Sequence, residues 1–335
     1  MTRVLRVVSA LRVFAAAAFL TICATAAATP INPEWEFYAH PQRLVDIGGR
    51  KLNVYCIGKG SPTIILDGGL GSDITEWRYV QPAIAKTTQV CAYDRAGNGF
   101  SDPAPLPRDA KALAADLSSL LRAAKIDGPY VVVGQSLAGL HIRLFADEHP
   151  NDVAGMVLVD PSFEHQVQRY EAAIPSYRAG AEQQVATFRS CITILKNGTP
   201  PAGSKGYRDC IGDTQSDLPP DVVTSEIART DSDSYRMALA ELEGLEGASS
   251  DQVDASRHPY GNTPLIVLSS DMPPRSDADT RTRMRIWYSM HEKIARLSSR
   301  GEHRIVPGSS HNIQESKPDA VIAAISQVLD AVRGR

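Results

Sequence analysis

The sequence lacks three features that would each have indicated a class of protein. It has no stripe of basic residues and its net charge is −3, so nothing in it indicates nucleic-acid binding. It contains no H-E-x-x-H motif and no cluster of Cys and His ligands, so we expect neither a metal nor a cofactor. Its N-terminal apolar run, residues 13–28, is shorter than the roughly 20 residues of a membrane-spanning helix. We therefore expect no stable membrane anchor.

That N-terminal run has the form of a secretory signal peptide. Arg3, Arg6 and Arg12 precede this run, and the run ends in small residues at positions 24–28. We predict that residues 1–28 are a signal peptide, and that the protein is exported to the periplasm or the extracellular space. An uncleaved anchor and a lipoprotein signal at Cys23 are the alternatives. The remaining chain is long enough for one large α/β domain with an inserted subdomain.

Four of the five cysteines follow the predicted signal peptide. An even number of cysteines in an exported chain indicates disulfides, and four cysteines allow three pairings. Cys56 and Cys91 fall in two predicted strands, whereas Cys191 and Cys210 bracket a polar loop. From this placement we predict the disulfides Cys56–Cys91 and Cys191–Cys210; free buried thiols are the alternative.

Short apolar runs alternate with helical patterns along much of the chain, which favours a mostly parallel sheet covered on both faces. The predicted strands are residues 43–47, 51–57, 63–66, 88–93, 130–133, 154–159, 265–268 and 303–306, and the predicted helices are residues 77–86, 110–125, 140–147 and 319–332. The polar, mainly helical stretch 162–258 interrupts the alternation. We predict that it is a cap inserted into a core of residues 29–161 and 259–335.

Residues 131–139 combine a run of β-branched residues, a serine between small residues and the start of a helical pattern. This arrangement is typical of a nucleophile elbow, in which a tight strand-to-helix turn exposes the serine hydroxyl. The pattern departs from G-x-S-x-G only at Ala138. We predict that Ser136 is a nucleophile, the alternative being a serine in an ordinary turn.

A serine nucleophile needs a base, an orienting acid and donors for the oxyanion. His311 follows the last predicted strand, in a loop at the edge of the sheet where α/β proteins place their sites, so we predict that it is the base. Two acids remain open. Asp160 ends the strand after the elbow and is preferred, because the loop of Asp271 has no glycine turn to present its carboxylate.

The expected oxyanion donors are two backbone N–H groups. One belongs to Leu137, directly after the serine. The other should come from the glycine-rich loop at residues 67–71, where Gly69 is our first choice and Leu70 the alternative.

Taken in order, these motifs resemble the α/β-hydrolase fold superfamily. The resemblance rests on the loop at 67–71, the segment 94–102, the elbow and the Gly-Ser-Ser-His sequence that ends at His311. It extends from about residue 44 to the C-terminus and is weakest across the cap. It implies an eight-stranded, mostly parallel sheet flanked by helices, with the catalytic order nucleophile, acid, histidine. The segment 94–102 is expected to pack beside the site.

The chain departs from the family pattern at two positions that are expected to change the pocket. Asp67 stands where many members carry histidine, and Gln135 precedes the nucleophile where histidine is frequent. Exported members with cysteines in the same two strands also look similar, which supports the bridge between Cys56 and Cys91.

The leading functional hypothesis is hydrolysis of a small-molecule carboxylic ester or lactone through an acyl-serine intermediate. A serine at the elbow argues against dehalogenase or epoxide hydrolase chemistry, which uses an aspartate there. One alternative is a proline-releasing aminopeptidase or amidase, with cap carboxylates that bind the substrate amine. The other is a non-catalytic ligand-binding member of the same fold.

Overall fold

The computed structural model describes residues 32–212, 217–256, 259–271 and 277–334, so the predicted signal peptide lies outside the described residues. Eight strands form a single sheet. The strands are β1 Leu44–Asp46, β2 Lys51–Ile57, β3 Thr63–Asp67, β4 Val90–Tyr93, β5 Tyr130–Gln135, β6 Val153–Val159, β7 Leu265–Ser270 and β8 Gly301–Val306.

The strand order across the sheet is β1-β2-β4-β3-β5-β6-β7-β8. Only the two pairings of β2, with β1 and with β4, are antiparallel, and all other neighbours run parallel. The hairpin between β1 and β2 turns at Gly48 and Gly49, whose φ angles of 113° and 92° lie in the region that favours glycine. The predicted mostly parallel, eight-stranded sheet is confirmed.

The described residues contain two short 3₁₀ helices, Pro33–Ala39 and Ile74–Trp77, and twelve α-helices. The α-helices are α1 Gln81–Ile84, α2 Ala110–Ala124, α3 Ala138–Glu148, α4 Gln166–Ala173, α5 Tyr177–Leu195, α6 Lys205–Cys210, α7 Pro220–Arg229, α8 Ser232–Glu246, α9 Ala248–Ser256, α10 Ala278–Ala295, α11 Ile313–Ser316 and α12 Pro318–Val332. The helix predicted over residues 77–86 is present but shorter: only Gln81–Ile84 is α-helical, and Trp77 ends the 3₁₀ helix that precedes it. No helix in the described ranges is both long enough and apolar enough to cross a membrane.

The central strand β5 is buried on both faces of the sheet, as its run of valines predicts. Successive side chains alternate between the faces, so Val132 packs into the apolar layer that contains Leu117 of α2. Val131 and Val133 pack into the opposite layer, with Ile325 of α12. The two layers fix the sheet between helices, and thereby fix the position of the turn that follows β5.

Six helices, α4 to α9, lie between β6 and β7. The last of them, α9, packs against α2 and α3 of the sheet-flanking layer. The inserted segment is therefore mainly helical, and its helices are in contact with the helices beside the elbow.

Both predicted disulfides are present in the structure. Cys56 and Cys91 lie directly opposite each other on the neighbouring strands β2 and β4, and their sulfurs are bonded. The second bridge joins Cys191 of α5 to Cys210 of α6 within the inserted helices.

Candidate active site

Ser136 occupies a sharp turn between β5 and α3. Its φ angle is 50°, a conformation that costs energy for any residue except glycine and that is characteristic of the nucleophile elbow. Small neighbours allow the turn to form, because a Cβ added at Gly134 would lie 2.4 Å from Ile142 and one added at Gly139 would lie 2.4 Å from Pro161. The helix α3 therefore lies too close to β5, and to the segment that follows β6, for larger residues at these two positions.

The structure brings Ser136, His311 and Asp160 together in one hydrogen-bonded chain. The Nε2 atom of His311 lies 2.9 Å from Ser136 Oγ, and its Nδ1 atom lies 2.6 Å from Asp160 Oδ2. His311 reaches the serine from the loop between β8 and α11, whereas Asp160 follows the end of β6. The serine–imidazole–carboxylate order is the one that activates a hydroxyl for nucleophilic attack.

Asp160 is held in place by more than the histidine. Its Oδ1 accepts hydrogen bonds from the backbone N–H of Ser270 at 2.9 Å and from Nε1 of Trp287 at 2.7 Å, and its Oδ2 accepts one from Ser270 Oγ. Burial alone would raise the pKa of Asp160, but the hydrogen bond and charge of His311 keep that pKa below its usual value. The group is thus an ionised carboxylate fixed against the imidazole.

The alternative acid, Asp271, lies elsewhere. Its Oδ2 accepts a hydrogen bond from the backbone N–H of Gly308 at 3.0 Å, and its own N–H donates to Ser309 Oγ at 3.2 Å. Both partners belong to the loop that carries His311. Asp271 therefore positions the backbone of the histidine loop and does not contact the imidazole.

The glycine loop after β3 is held from beneath by Arg95, which sequence reasoning had not assigned to the site. The buried guanidinium donates to the carbonyl oxygens of Gly68 and Gly69, and it forms ion pairs with Asp67 at 2.8 Å and with Glu241 of α8 at 2.9 Å. Because the two loop carbonyls point toward Arg95, the loop conformation is fixed by a charge-assisted network.

Asp67, the residue at the family's usual histidine position, is part of the same buried network. Its Oδ2 contacts Nε2 of His141 at 2.7 Å and accepts a hydrogen bond from the Tyr93 hydroxyl at 2.5 Å. Burial would raise the pKa of Asp67, but the opposing charges of His141 and Arg95 lower that pKa to about 2. His141 is therefore committed to this buried pair and does not reach Ser136.

Of the candidate oxyanion donors, Gly69 is already engaged. Its N–H donates to Glu76 Oε2 at 3.0 Å, so this group points away from the cavity of Ser136. Gly69 must lack a side chain for a separate reason, because an added Cβ would lie 2.2 Å from Gln135 Oε1. Among the described residues no hydrogen bond occupies the N–H of Leu70 or Leu137, so both remain available to a ligand.

Comparisons with known proteins agree with this geometry. A family model described as the alpha/beta hydrolase fold matches residues 62–194, which include the glycine loop, the elbow and Asp160. The chain therefore has the α/β-hydrolase fold.

The sequence of this chain is similar to those of two proteins with different descriptions. The uncharacterized protein YqjL of Bacillus subtilis is 25% identical over 271 residues, which cover 81% of this chain and 85% of YqjL. A probable transporter, efuK, of Hormonema carpetanum is 34% identical over 155 residues, 44% of this chain, but the match spans only 22% of efuK.

Solved structures show the same fold at low sequence identity. An enol-lactonase from Burkholderia xenovorans LB400 matches with a TM-score of 0.57 and 17% identity, over 86% of this chain and 99% of its own. A thermophilic esterase from Thermogutta terrifontis matches with a TM-score of 0.60 and 19% identity, over 88% and 99%. These structural matches show the fold of the chain. Because the sequence identities are low, the matches do not indicate its substrate.

The hydrolase has a cavity of about 300 Å³ that reaches its serine and histidine. The lining residues are Ser136, Asp160, Ser162, Gln166, Tyr170, Tyr177, Ser270, Arg283, Met284, Trp287 and His311. A larger cavity of about 420 Å³ includes Leu70 and Asn312 but neither of the reacting side chains. The smaller cavity is therefore the candidate substrate site.

Glu76 lies buried beneath the glycine loop of this hydrolase. It accepts hydrogen bonds from Gly69 N and, at 2.6 Å, from Gln314 Nε2. Burial raises the pKa of Glu76 to about 7, despite the hydrogen bonds from Ser72 and Gly69 that oppose the rise. A raised pKa means that Glu76 stabilises the fold fully at low pH, and that this contribution is lost as the pH rises from the ordinary glutamate range through about 7.

We predict that Glu76→Gln makes the hydrolase less sensitive to alkaline pH. The amide cannot ionise, and its N–H₂ group can donate to Gln314 Oε1, a buried atom that has no hydrogen-bond partner in the described structure. The melting temperature of the variant relative to the wild type should rise by about 5 °C between pH 5 and pH 8. The measurement is thermal unfolding at both pH values. Glu36→Gln, the same charge change on an exposed residue, is the control, and equal pH dependence in wild type and Glu76→Gln would contradict the assignment.

Proposed function

We propose that this protein is a serine hydrolase that cleaves a carboxylic ester or lactone through an acyl intermediate on Ser136. The observation that carries the proposal is the continuous chain from Ser136 Oγ through His311 to the buried Asp160, with contacts of 2.9 and 2.6 Å. Such a chain generates a nucleophile from a hydroxyl that is otherwise unreactive at neutral pH.

In the proposed reaction His311 Nε2 accepts the proton of Ser136 as Oγ attacks the substrate carbonyl carbon. Asp160 stabilises the imidazolium that results. The negative charge that develops on the carbonyl oxygen is stabilised by the N–H groups of Leu137 and Leu70. We favour Leu70 over our first choice, Gly69, because the Gly69 N–H already donates to Glu76.

Collapse of the tetrahedral intermediate breaks the bond to the alcohol oxygen, which takes the proton from His311. A water molecule then attacks the acyl-serine, with His311 again acting as the base. The carboxylic acid is released and the Ser136 hydroxyl is restored.

The aminopeptidase alternative is less well supported. It requires carboxylates that bind a free amine near the nucleophile, and Asp160 is the one carboxylate among the described residues that line the cavity of Ser136. Three acidic residues of the inserted segment have other partners: Glu241 pairs with Arg95, Glu243 pairs with Arg189, and Asp231 caps α8. The intact chain at Ser136 likewise disfavours a non-catalytic ligand-binding role.

We also propose that the chain consists of a catalytic core and a cap. Residues 29–161 and 259–335 supply the reacting groups, and residues 162–258 act as a cap, since Gln166 and Tyr170 of α4 and Tyr177 of α5 line the cavity. The two disulfides support export of the mature protein to an oxidising compartment after removal of residues 1–28.

The proposal is tested with a panel of neutral substrates: nitrophenyl acyl esters of graded chain length, small lactones and a prolyl arylamide, each with Ser136→Ala as the blank. We expect turnover of esters or lactones by the wild type alone. Turnover restricted to the prolyl arylamide would establish the aminopeptidase alternative instead. Equal rates in wild type and blank would remove Ser136 from the reaction.

A further inference from the structure

The cavity of Ser136 has one cationic side chain in its wall. Arg283 of α10 lines it together with Tyr170 and Tyr177. Within the described ranges the cavity's carboxylate, Asp160, already has four partner atoms on His311, Ser270 and Trp287. The oxygens of Asp160 are thus occupied inside the catalytic chain, whereas Arg283 is a cationic residue of the remaining cavity wall.

No ion pair between residues that the structure describes involves Arg283. Asp279, one turn earlier on α10, instead accepts a hydrogen bond from Ser176 at 3.3 Å. A partly buried cation with no partner costs solvation energy that an anionic ligand would recover.

Two tyrosines share this part of the cavity wall with Arg283. Tyr170 of α4 and Tyr177 of α5 line the same cavity. Burial raises the pKa of both tyrosines, and the charge of Arg283 opposes that rise in each case, as a cation near both phenols would.

The position of Arg283 relative to the reacting groups follows from the helix that carries it. Trp287, four residues later on α10, donates to Asp160 and packs 6.2 Å from the His311 ring, centroid to centroid. One helical turn separates Arg283 from Trp287, which is about 6 Å along the axis. The backbone of Arg283 is thus one turn from that of Trp287, and both side chains line the cavity that holds Ser136 and His311. A small substrate in this cavity can therefore meet the reacting groups and Arg283 together.

We infer that this site takes esters or lactones that carry a carboxylate, and that Arg283 binds that carboxylate. The inference rests on the proposed function for the bond that is cleaved. The recognition of the carboxylate does not depend on it, because Arg283 would bind the anion whether or not Ser136 reacts. The specificity would come from a charge-assisted pair inside a confined cavity, where a neutral analogue leaves the guanidinium unpaired.

Binding is tested without turnover by calorimetry on the full chain, with glutarate as the anionic probe and glutaramide as the neutral analogue. The wild type should bind glutarate more tightly than glutaramide, and Arg283→Gln should weaken glutarate binding by about 10- to 100-fold. Arg285→Gln is the matched control, because it makes the same charge change on an exposed residue of the same helix, outside the cavity. Equal affinity for the two probes, or equal losses in both variants, would overturn the inference.

Kinetics then locate the carboxylate on the substrate. One arm compares the mono-nitrophenyl ester of glutaric acid with nitrophenyl valerate, so that the charge lies in the acyl group. The other compares 4-acetoxybenzoate with phenyl acetate, so that the charge lies in the alcohol. In one of the two arms, kcat/KM for the anionic substrate should be more than ten times that for the neutral substrate. This ratio should be smaller in Arg283→Gln than in the wild type. A ratio near one in both arms, or a ratio that survives the substitution, would overturn the inference even if Ser136-dependent hydrolysis of the neutral esters is established.

Discussion

Replacement of Ser136 by alanine should lower kcat for an ester substrate by about 10⁵- to 10⁶-fold. The substitution removes the hydroxyl oxygen that lies 2.9 Å from the Nε2 atom of His311 and that we propose attacks the carbonyl carbon. It keeps the Cβ atom and the backbone of the elbow, including the hydrogen bond from Ser136 N to Val159 O. The fold should therefore be retained, and a loss of rate should reflect the lost nucleophile.

Two measurements separate chemistry from folding in this experiment. Single-turnover release of nitrophenol gives the rate, and thermal unfolding followed by circular dichroism gives the stability. Ser119→Ala, a serine of α2 that lies outside the cavity, is the matched control and should keep full activity. Residual activity of Ser136→Ala within a factor of ten of the wild type would rule out nucleophilic catalysis by this serine.

Replacement of Asp160 by asparagine should lower kcat by about 10³- to 10⁴-fold. The amide oxygen can keep the hydrogen bonds from Ser270 N and Trp287 Nε1, which leaves the N–H₂ group facing Nδ1 of His311. An N–H₂ donor requires an unprotonated Nδ1, so the ring proton moves to Nε2, where it faces Ser136. The imidazole can then no longer accept the serine proton.

Asp271→Asn is the natural comparison, since it makes the same chemical change at the other candidate acid. The carboxylate of Asp271 accepts a hydrogen bond from the backbone of Gly308, and its backbone N–H donates to the Ser309 hydroxyl, so this variant should lose less than tenfold in kcat. Steady-state kinetics of both variants at saturating substrate make the comparison. A loss in Asp271→Asn as large as that in Asp160→Asn would show that Asp271 is the acid that orients His311.

The local parts of this site could be predicted from the sequence because each has a short-range cause. A strand of β-branched residues that ends in small residues and a serine predicts the elbow, and the positive φ of Ser136 with the close approaches at Gly134 and Gly139 follows from that pattern. The pairing of Cys56 with Cys91 likewise follows from their positions on two strands that are now seen side by side.

The parts that could not be predicted depend on contacts between distant segments. The N–H of Gly69 is taken up by Glu76, whose carboxylate is buried there by the fold, and no local pattern indicates that pairing. Arg95 holds the same loop through partners that include Glu241, 146 residues away. The helix α10, which supplies Arg283 and Trp287 to the cavity, was not predicted, because its sequence is polar and lacks a clear apolar stripe.

The most direct test of the central claim is to map the residue that reacts with a serine-directed fluorophosphonate. The protein is labelled with equimolar reagent, digested, and analysed by tandem mass spectrometry. A covalent adduct on Ser136, absent when His311 is replaced by alanine, is the predicted result, because only an imidazole-activated hydroxyl reacts at neutral pH. An adduct on another residue, or none on Ser136 in a preparation that hydrolyses esters, would contradict the account.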